Sequence, residues 1–270
     1  MKKFFQILYI SLILLFIYAP IFTLVLYSFV DTPIVNIKEA LEKGFSFNLY
    51  VKLFNDASLM KIVWDTLILA VVVAVLATLL GTLGAIGIYY HKGKFGKFTS
   101  ASSRIPVINA EIVTAIALVL LFALVFAASR SYASLVIGHL IITTPFVVLS
   151  VVPKLKQMDS NLYEAALDLG ASPFTALIKV IIPEILPGIL SGFMLAITLS
   201  LDDYIISAYT KPAGFDTIST YVYGAMAKSN ANSSLPALRA LSAIIFVVII
   251  LVVVIKNVTA RKGEKAWKEF

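Results

Sequence analysis

From Phe4 to Val30 the chain carries no charged side chain, and from Thr66 to Tyr90 it again carries none. A helix needs about 20 mostly apolar residues to cross the hydrocarbon core of a bilayer, so either run is long enough. Four further stretches are nearly as clean. Residues 105–129 hold Glu111 alone, 131–153 hold only His139, 185–210 hold Asp202 and Asp203, and 235–255 hold Arg239. Inside lipid no water satisfies the backbone, which leaves helices or a closed barrel. Barrel strands alternate apolar and polar residues, and these runs do not alternate. The expected fold is all-α and integral to the membrane, with six spans (about 4–30, 66–90, 105–129, 131–153, 185–210 and 235–255) in one transmembrane domain over residues 1–270. Composition agrees: 60% of residues are hydrophobic and 14% charged, against roughly 45–50% and about 25% in a globular domain. The first run is long and lacks a small-residue cleavage site, so it reads as an anchor rather than a signal peptide.

Lys and Arg set the orientation. With the N-terminus inside, Lys2, Lys3, the 92–104 loop, Lys154, Lys156, Lys179 and the basic C-terminal tail all face the cytoplasm. That is most of the 22 basic residues. Both termini are therefore expected to be cytoplasmic. The net charge of +7 reflects this inner-surface excess, which suits membrane lipid as its partner and calls for no nucleic acid.

Chemistry is hard to place on this chain. It has no cysteine, and its two histidines, His91 and His139, cannot build a metal cluster. No nucleophile with a base beside it is evident. Gly93-Lys94-Phe95-Gly96-Lys97-Phe98-Thr99 lacks phosphate-loop spacing and joins two membrane spans, so it reads as a basic inner loop. No bound cofactor is expected. Nucleotide energy, with its Mg, would have to enter through another chain.

The informative polar segment is the loop 154–182. In Asn161-Leu162-Tyr163-Glu164, Asn161 can cap a short helix, with Glu164 closing a capping box. Gly170 is placed to end that helix in a left-handed turn. Ser172 can cap a second helix, with Pro173 at its first position. Two short helices at an angle follow, and the small residues Ala165 and Ala166 would let a partner approach closely.

Glu164-Ala165-Ala166, three residues, Gly170, nine residues, then Val180-Ile181-Ile182-Pro183 resembles the EAA loop of bacterial ABC-importer permeases. Ser200-Leu201-Asp202-Asp203-Tyr204-Ile205-Ile206-Ser207 is similar to a fifth-span signature of spermidine/putrescine permeases of the C type. Gly44–Tyr50 with Leu53-Phe54, and Ile105–Thr114, resemble the same family. Ala110 departs from its usual proline and Asp65 from its frequent asparagine. The resemblance implies a type-I ABC-importer permease in the bacterial inner membrane. Its coupling residues would be Glu164, Ala165, Ala166, Gly170, Ser172 and Pro173. It further implies a paralogous permease, two cytoplasmic ATPases and an extracytoplasmic binding protein as partners. The implied cargo is a polyamine; an iron complex or another organic cation is the alternative. A channel or scaffold without ATPases is a competing class, against which the coupling motif argues.

An ionisable residue within a span is costly and usually faces a cavity or a partner. Asp202, Asp203 and Glu111 suit a permeating polycation, and Tyr204 could add a cation–π contact. A second reading stands beside this one: Asp202 or Asp203 pairs with Arg239 and merely ties helices together. His139 reads as a satisfied polar residue of the bundle rather than a proton relay. Ala77, Gly81 and Ala85, with Ala74, Thr78 and Thr82, make a small-residue face for close packing. Pro20, Pro145 and Pro187 are expected to kink their helices.

Overall fold

The structure, a computed structural model, describes residues 2–31, 42, 44–91, 108–125, 130–159, 161–227, 237–247 and 250. No strand occurs among them. Among the described residues four helices are long and apolar enough to cross a membrane, and two shorter apolar ones, Glu111–Leu124 and Ala237–Val247, fall within the third and sixth expected spans. The chain forms two compact units, one of Met1–Met60 with Val222–Phe270 and the other of Lys61–Tyr221.

In the first unit, α1 (Lys2–Tyr27) is apolar on every side and its described side chains are almost all exposed. That is the pattern of a helix solvated by lipid. Ser46 N donates to Phe29 O at 2.7 Å, and the Phe29 ring lies 5.5 Å from Phe47 and 5.3 Å from Tyr50. This brings α2 (Asn48–Asn55) back beneath the end of α1. There the hydroxyls of Ser28 and Tyr50 lie 2.7 Å apart, and Lys52 pairs with Asp31 at 2.8 Å.

α3 runs from Ala57 to Tyr90, about 51 Å at 1.5 Å per residue and so well beyond one bilayer core. Its extra turns lie at the N-terminal end, where Asp56 caps it by accepting from Ser58 N and Leu59 N at 3.0 and 3.2 Å. Asp65 therefore stands inside the helix rather than at its start.

The core of the second unit forms where α3 meets α5 (Tyr132–Gln157) and α8 (Ile182–Asp202). Ala74, Ala77 and Ala85 are fully buried there, on the small-residue face that the sequence suggests. Glycine permits the closest approaches. A Cβ at Gly81 would stand 2.6 Å from Val147 Cβ, and one at Gly192 would stand 3.0 Å from Val147 Cγ1. α4 (Glu111–Val125) contributes Ala115, Leu118 and Phe122 to a separate cluster with Ile206.

Pro20, Pro145, Pro153 and Pro187 all lie inside continuous helices. The fifth span is interrupted elsewhere. The expected run 185–210 ends as α8 at Asp202, Asp203 is extended (φ −65°, ψ 120°), and helix resumes as α9 (Ile205–Thr210).

Candidate functional site: a coupling loop and a broken helix

Two regions of the second unit collect the sequence-expected site residues. The loop begins with α6 (Asn161–Asp168). Asn161 is the first residue of this helix rather than its cap. Asp159 takes that place, its Oδ1 accepting from Asn161 N at 2.9 Å. The shift has a simple cause: a carboxylate two residues earlier reaches the first free N–H without distorting the turn. The far end matches the expectation for Gly170, which has φ +86°. Gly170 N donates to Leu167 O at 2.9 Å and Ala171 N to Ala166 O at 3.1 Å. This pair of bonds is a Schellman closure, and it requires the left-handed residue. Ser172 Oγ then accepts from Thr175 N at 3.2 Å, capping α7 (Pro173–Ala176) with Pro173 at its first position.

A π-helical turn, Leu177–Ile181, leads from α7 into α8. Glu164, Ala165, Gly170, Ser172 and Pro173 are exposed, and Leu169 and Phe174 project beside them at 90% and 71% exposure. On the inner side Leu162 and Tyr163 pack onto the core shared by α5 and α8, and the Tyr163 ring lies 5.3 Å from Tyr90. The loop thus has one anchored face and one open face, on which Leu169 and Phe174 flank the small residues.

The second region is the break between α8 and α9. Asp203 is positioned by its own backbone: its carboxylate accepts from Ile206 N at 3.2 Å and Ser207 N at 2.7 Å, capping the restarted helix. From α5, His139 is buried against it with Nε2 3.4 Å from Asp203 Oδ2. The two imidazole nitrogens lie 2.9 Å from Ser200 Oγ and 3.0 Å from Ser207 Oγ. His139 is the satisfied polar residue that the sequence suggests, and its satisfaction depends on the break. Ser219 Oγ donates to Leu201 O at 3.2 Å, tying the end of α8 to α10 (Ile218–Ala227).

Asp202 is exposed on the last turn of α8, and Tyr204 is half-buried within the break. Glu111 stands apart from these residues, exposed in the first turn of α4, where a carboxylate complements the helix dipole. Arg239, the alternative partner for the aspartates, belongs to the first unit, as does Asp31, an acidic group that acts on it. Sequence reasoning missed the break because neither Gly nor Pro marks it. The available signal was Asp203 itself, a capping residue type three positions before Ile206.

The spermidine/putrescine transport system permease protein PotC of Escherichia coli is 32% identical over 258 residues, covering 95% of this chain and 94% of that protein. PotC of Haemophilus influenzae is 33% identical over 221 residues, covering 82% and 84%. The chain belongs to this permease family. The putrescine permease PotI of Escherichia coli, 30% identical over 236 residues, covers 84% of the chain and is covered for 81% of its own length. No protein-family model matches the chain.

Among solved structures, a bacterial ABC transporter involved in alginate import superposes with a TM-score of 0.68 at 18% identity, covering 97% of this chain and 96% of that one. The MetNI methionine ABC transporter superposes at 0.56 with 17% identity, covering 76% and 98%. These likenesses fix the fold as that of a type-I ABC-importer permease. As a member of this permease family the chain is a multi-pass membrane transport subunit.

Proposed function

We propose that this permease carries polyamines, spermidine or putrescine, into the cell as one half of the membrane pore of an ATP-driven importer. A paralogous permease forms the other half. Two cytoplasmic ATPases dock on the loop 154–182 through Glu164, Ala165, Ala166, Gly170, Ser172 and Pro173, and an extracytoplasmic binding protein delivers the cargo. Both termini face the cytoplasm. The chain hydrolyses no ATP; ATP and Mg act on the partner chains.

What carries this reading is the likeness to a spermidine/putrescine permease over 95% of the chain. The site chemistry supports it. A polyamine sheds water on entering a narrow pore, and carboxylates replace part of that hydration where the dielectric is low. Asp202, beside Asp203 and Tyr204 at the helix break, offers one acidic station. Glu111 forms a second, so the cation never rests in a single deep well, which conduction requires.

Uptake by the reconstituted complex, with its ATPases and binding protein, tests the assignment. Labelled spermidine or putrescine should accumulate with ATP and not without it. Accumulation of a ferric complex in place of either polyamine would overturn the proposed cargo. For the orientation, a thiol introduced at Asn48 should react with an impermeant reagent added outside intact cells. One at Ser160 should react only after the cells are permeabilised; the reverse pattern would invert the topology.

A further inference from the structure

Asp202 and Asp203 are adjacent in the chain and differ in every other respect. The Asp203 side chain is only 10% exposed, and its oxygens meet Ile206 N, Ser207 N and His139. Asp202 is exposed and makes no hydrogen bond or ion pair among the described residues. It rides the last turn of α8, where backbone carbonyls have lost their helical partners and the helix end carries partial negative charge.

What divides them is a contact from another helix. His139 on α5 touches both sides of the break, with Nδ1 against Ser200 of α8 and Nε2 against Ser207 of α9. Two neighbours on the same face of α5 complete the hold. Gly138 lets α9 approach so closely that a Cβ there would stand 2.6 Å from Ile206 Cγ2. Ser134 Oγ donates to Thr210 O at 3.0 Å, fixing the far end of α9. A buried imidazole with both nitrogens engaged cannot turn away without leaving polar atoms unpaired. The break is therefore clamped rather than merely allowed.

We infer that His139 is a positioning residue for transport: by clasping both edges of the break through Ser200, Ser207 and Asp203, it ends α8 at Asp202 and leaves that carboxylate as the one of the pair that meets the ammonium groups of the cargo. This rests on the polyamine reading given above. In this arrangement Asp203 stays with His139 and the α9 cap throughout. Were Asp203 to turn toward a cation instead, two backbone N–H groups and a buried imidazole would be stranded at once.

Two measurements on the full complex test the clasp. The first is polyamine uptake per ATP hydrolysed, which a general loss of assembly or stability leaves unchanged. Asp202→Asn should lower this ratio about tenfold, the effect of losing one charge contact worth about 1.4 kcal/mol. His139→Ala should lower it by a comparable factor, and the double variant should be no worse than the poorer single one, because both act through Asp202. His139→Gln, which keeps a donor toward Asp203, should recover most of the loss.

The second measurement needs no cargo. The chain has no cysteine, so an Asp202→Cys thiol is the only one this subunit presents. Its reaction with a cationic thiol reagent should slow severalfold when His139→Ala is added and recover with His139→Gln. If His139→Ala blocks assembly, Ser200→Ala and Ser207→Ala each open one side of the clasp and are read in the same two ways. Unchanged uptake per ATP with unchanged thiol reactivity would overturn the proposal, as would losses that multiply in the double variant. A wild-type complex that imports no polyamine would sink the cargo assignment, while the thiol rates would still decide the clasp.

Discussion

The loop at Gly170 and the break at Asp203 do the same thing to the backbone, and they are held by opposite means. Each ends one helix and starts another within a few residues, and each caps the second with a side-chain oxygen. At Gly170 the described hydrogen bonds that shape the turn come from within 159–176. At Asp203 the decisive contacts come from His139, Gly138 and Ser134 on α5. A locally built turn keeps its shape when its surroundings move, as the docking surface proposed above must. A turn held by a distant helix keeps its shape only while that helix stays packed against it, which suits a fixed point inside the bundle.

The comparison breaks most visibly at the distant contacts. Gly138→Leu should be the most damaging of these changes, since the added side chain meets Ile206 and Thr210; overpacking of this kind costs about 3 kcal/mol. The measurement is the thermal midpoint of the detergent-solubilised complex, and a wild-type midpoint would show that α9 is free to shift. Asp203→Ala comes next, at about 2–3 kcal/mol, because it removes the cap and leaves a buried imidazole facing an apolar gap. Asp203→Asn can still accept from one N–H and should recover part of that loss in the same assay.

Local changes should cost less in stability and more in coupling. A Cβ at Gly170 would meet nothing within 4 Å, so the main penalty of Gly170→Val is the left-handed backbone, about 1–2 kcal/mol for a residue with a side chain. The subunit should still insert and assemble while substrate-stimulated ATPase activity and transport fall. Full transport would show that the loop is only a connector. Ser172→Ala removes one cap at about 1 kcal/mol, and hydrogen exchange of the amides of α7 should rise without a change elsewhere.

The smallest effect is one of pH. Asp56 is held below the ordinary aspartate range, chiefly by the Ser58 hydroxyl and then by the Leu59 amide. A depressed carboxyl stabilises the folded form above its unfolded value and loses that contribution as pH falls through the folded one. Acidification below the ordinary aspartate range should therefore fray the first turn of α3, and Asp56→Asn should remove the dependence.

The same contrast explains what could be read from the sequence. Apolar runs report solvent directly, so the helical membrane fold was legible at once. The turn at Gly170 and the cap at Ser172 were legible because their determinants are consecutive residues. The cap of α6 shifted to Asp159, within the range over which capping side chains compete. The break at Asp203 was not legible. Nothing near Ser200–Ser207 forbids a continuous helix, and the residues that favour the interruption sit on α5. The two aspartates look equivalent in the sequence and become distinct only once His139 is beside one of them.

Val147 lies between two glycines, Gly81 of α3 and Gly192 of α8, with helix surfaces nearly touching on either side. Closely packed interiors deform little and pass strain onward. Leu162 and Tyr163 of the exposed loop rest on this same cluster. A push delivered at the loop therefore meets no soft layer before it reaches the three helices. Displacement at the loop should arrive around Val147 as rotation of a stiff body, with little of the stroke lost to bending.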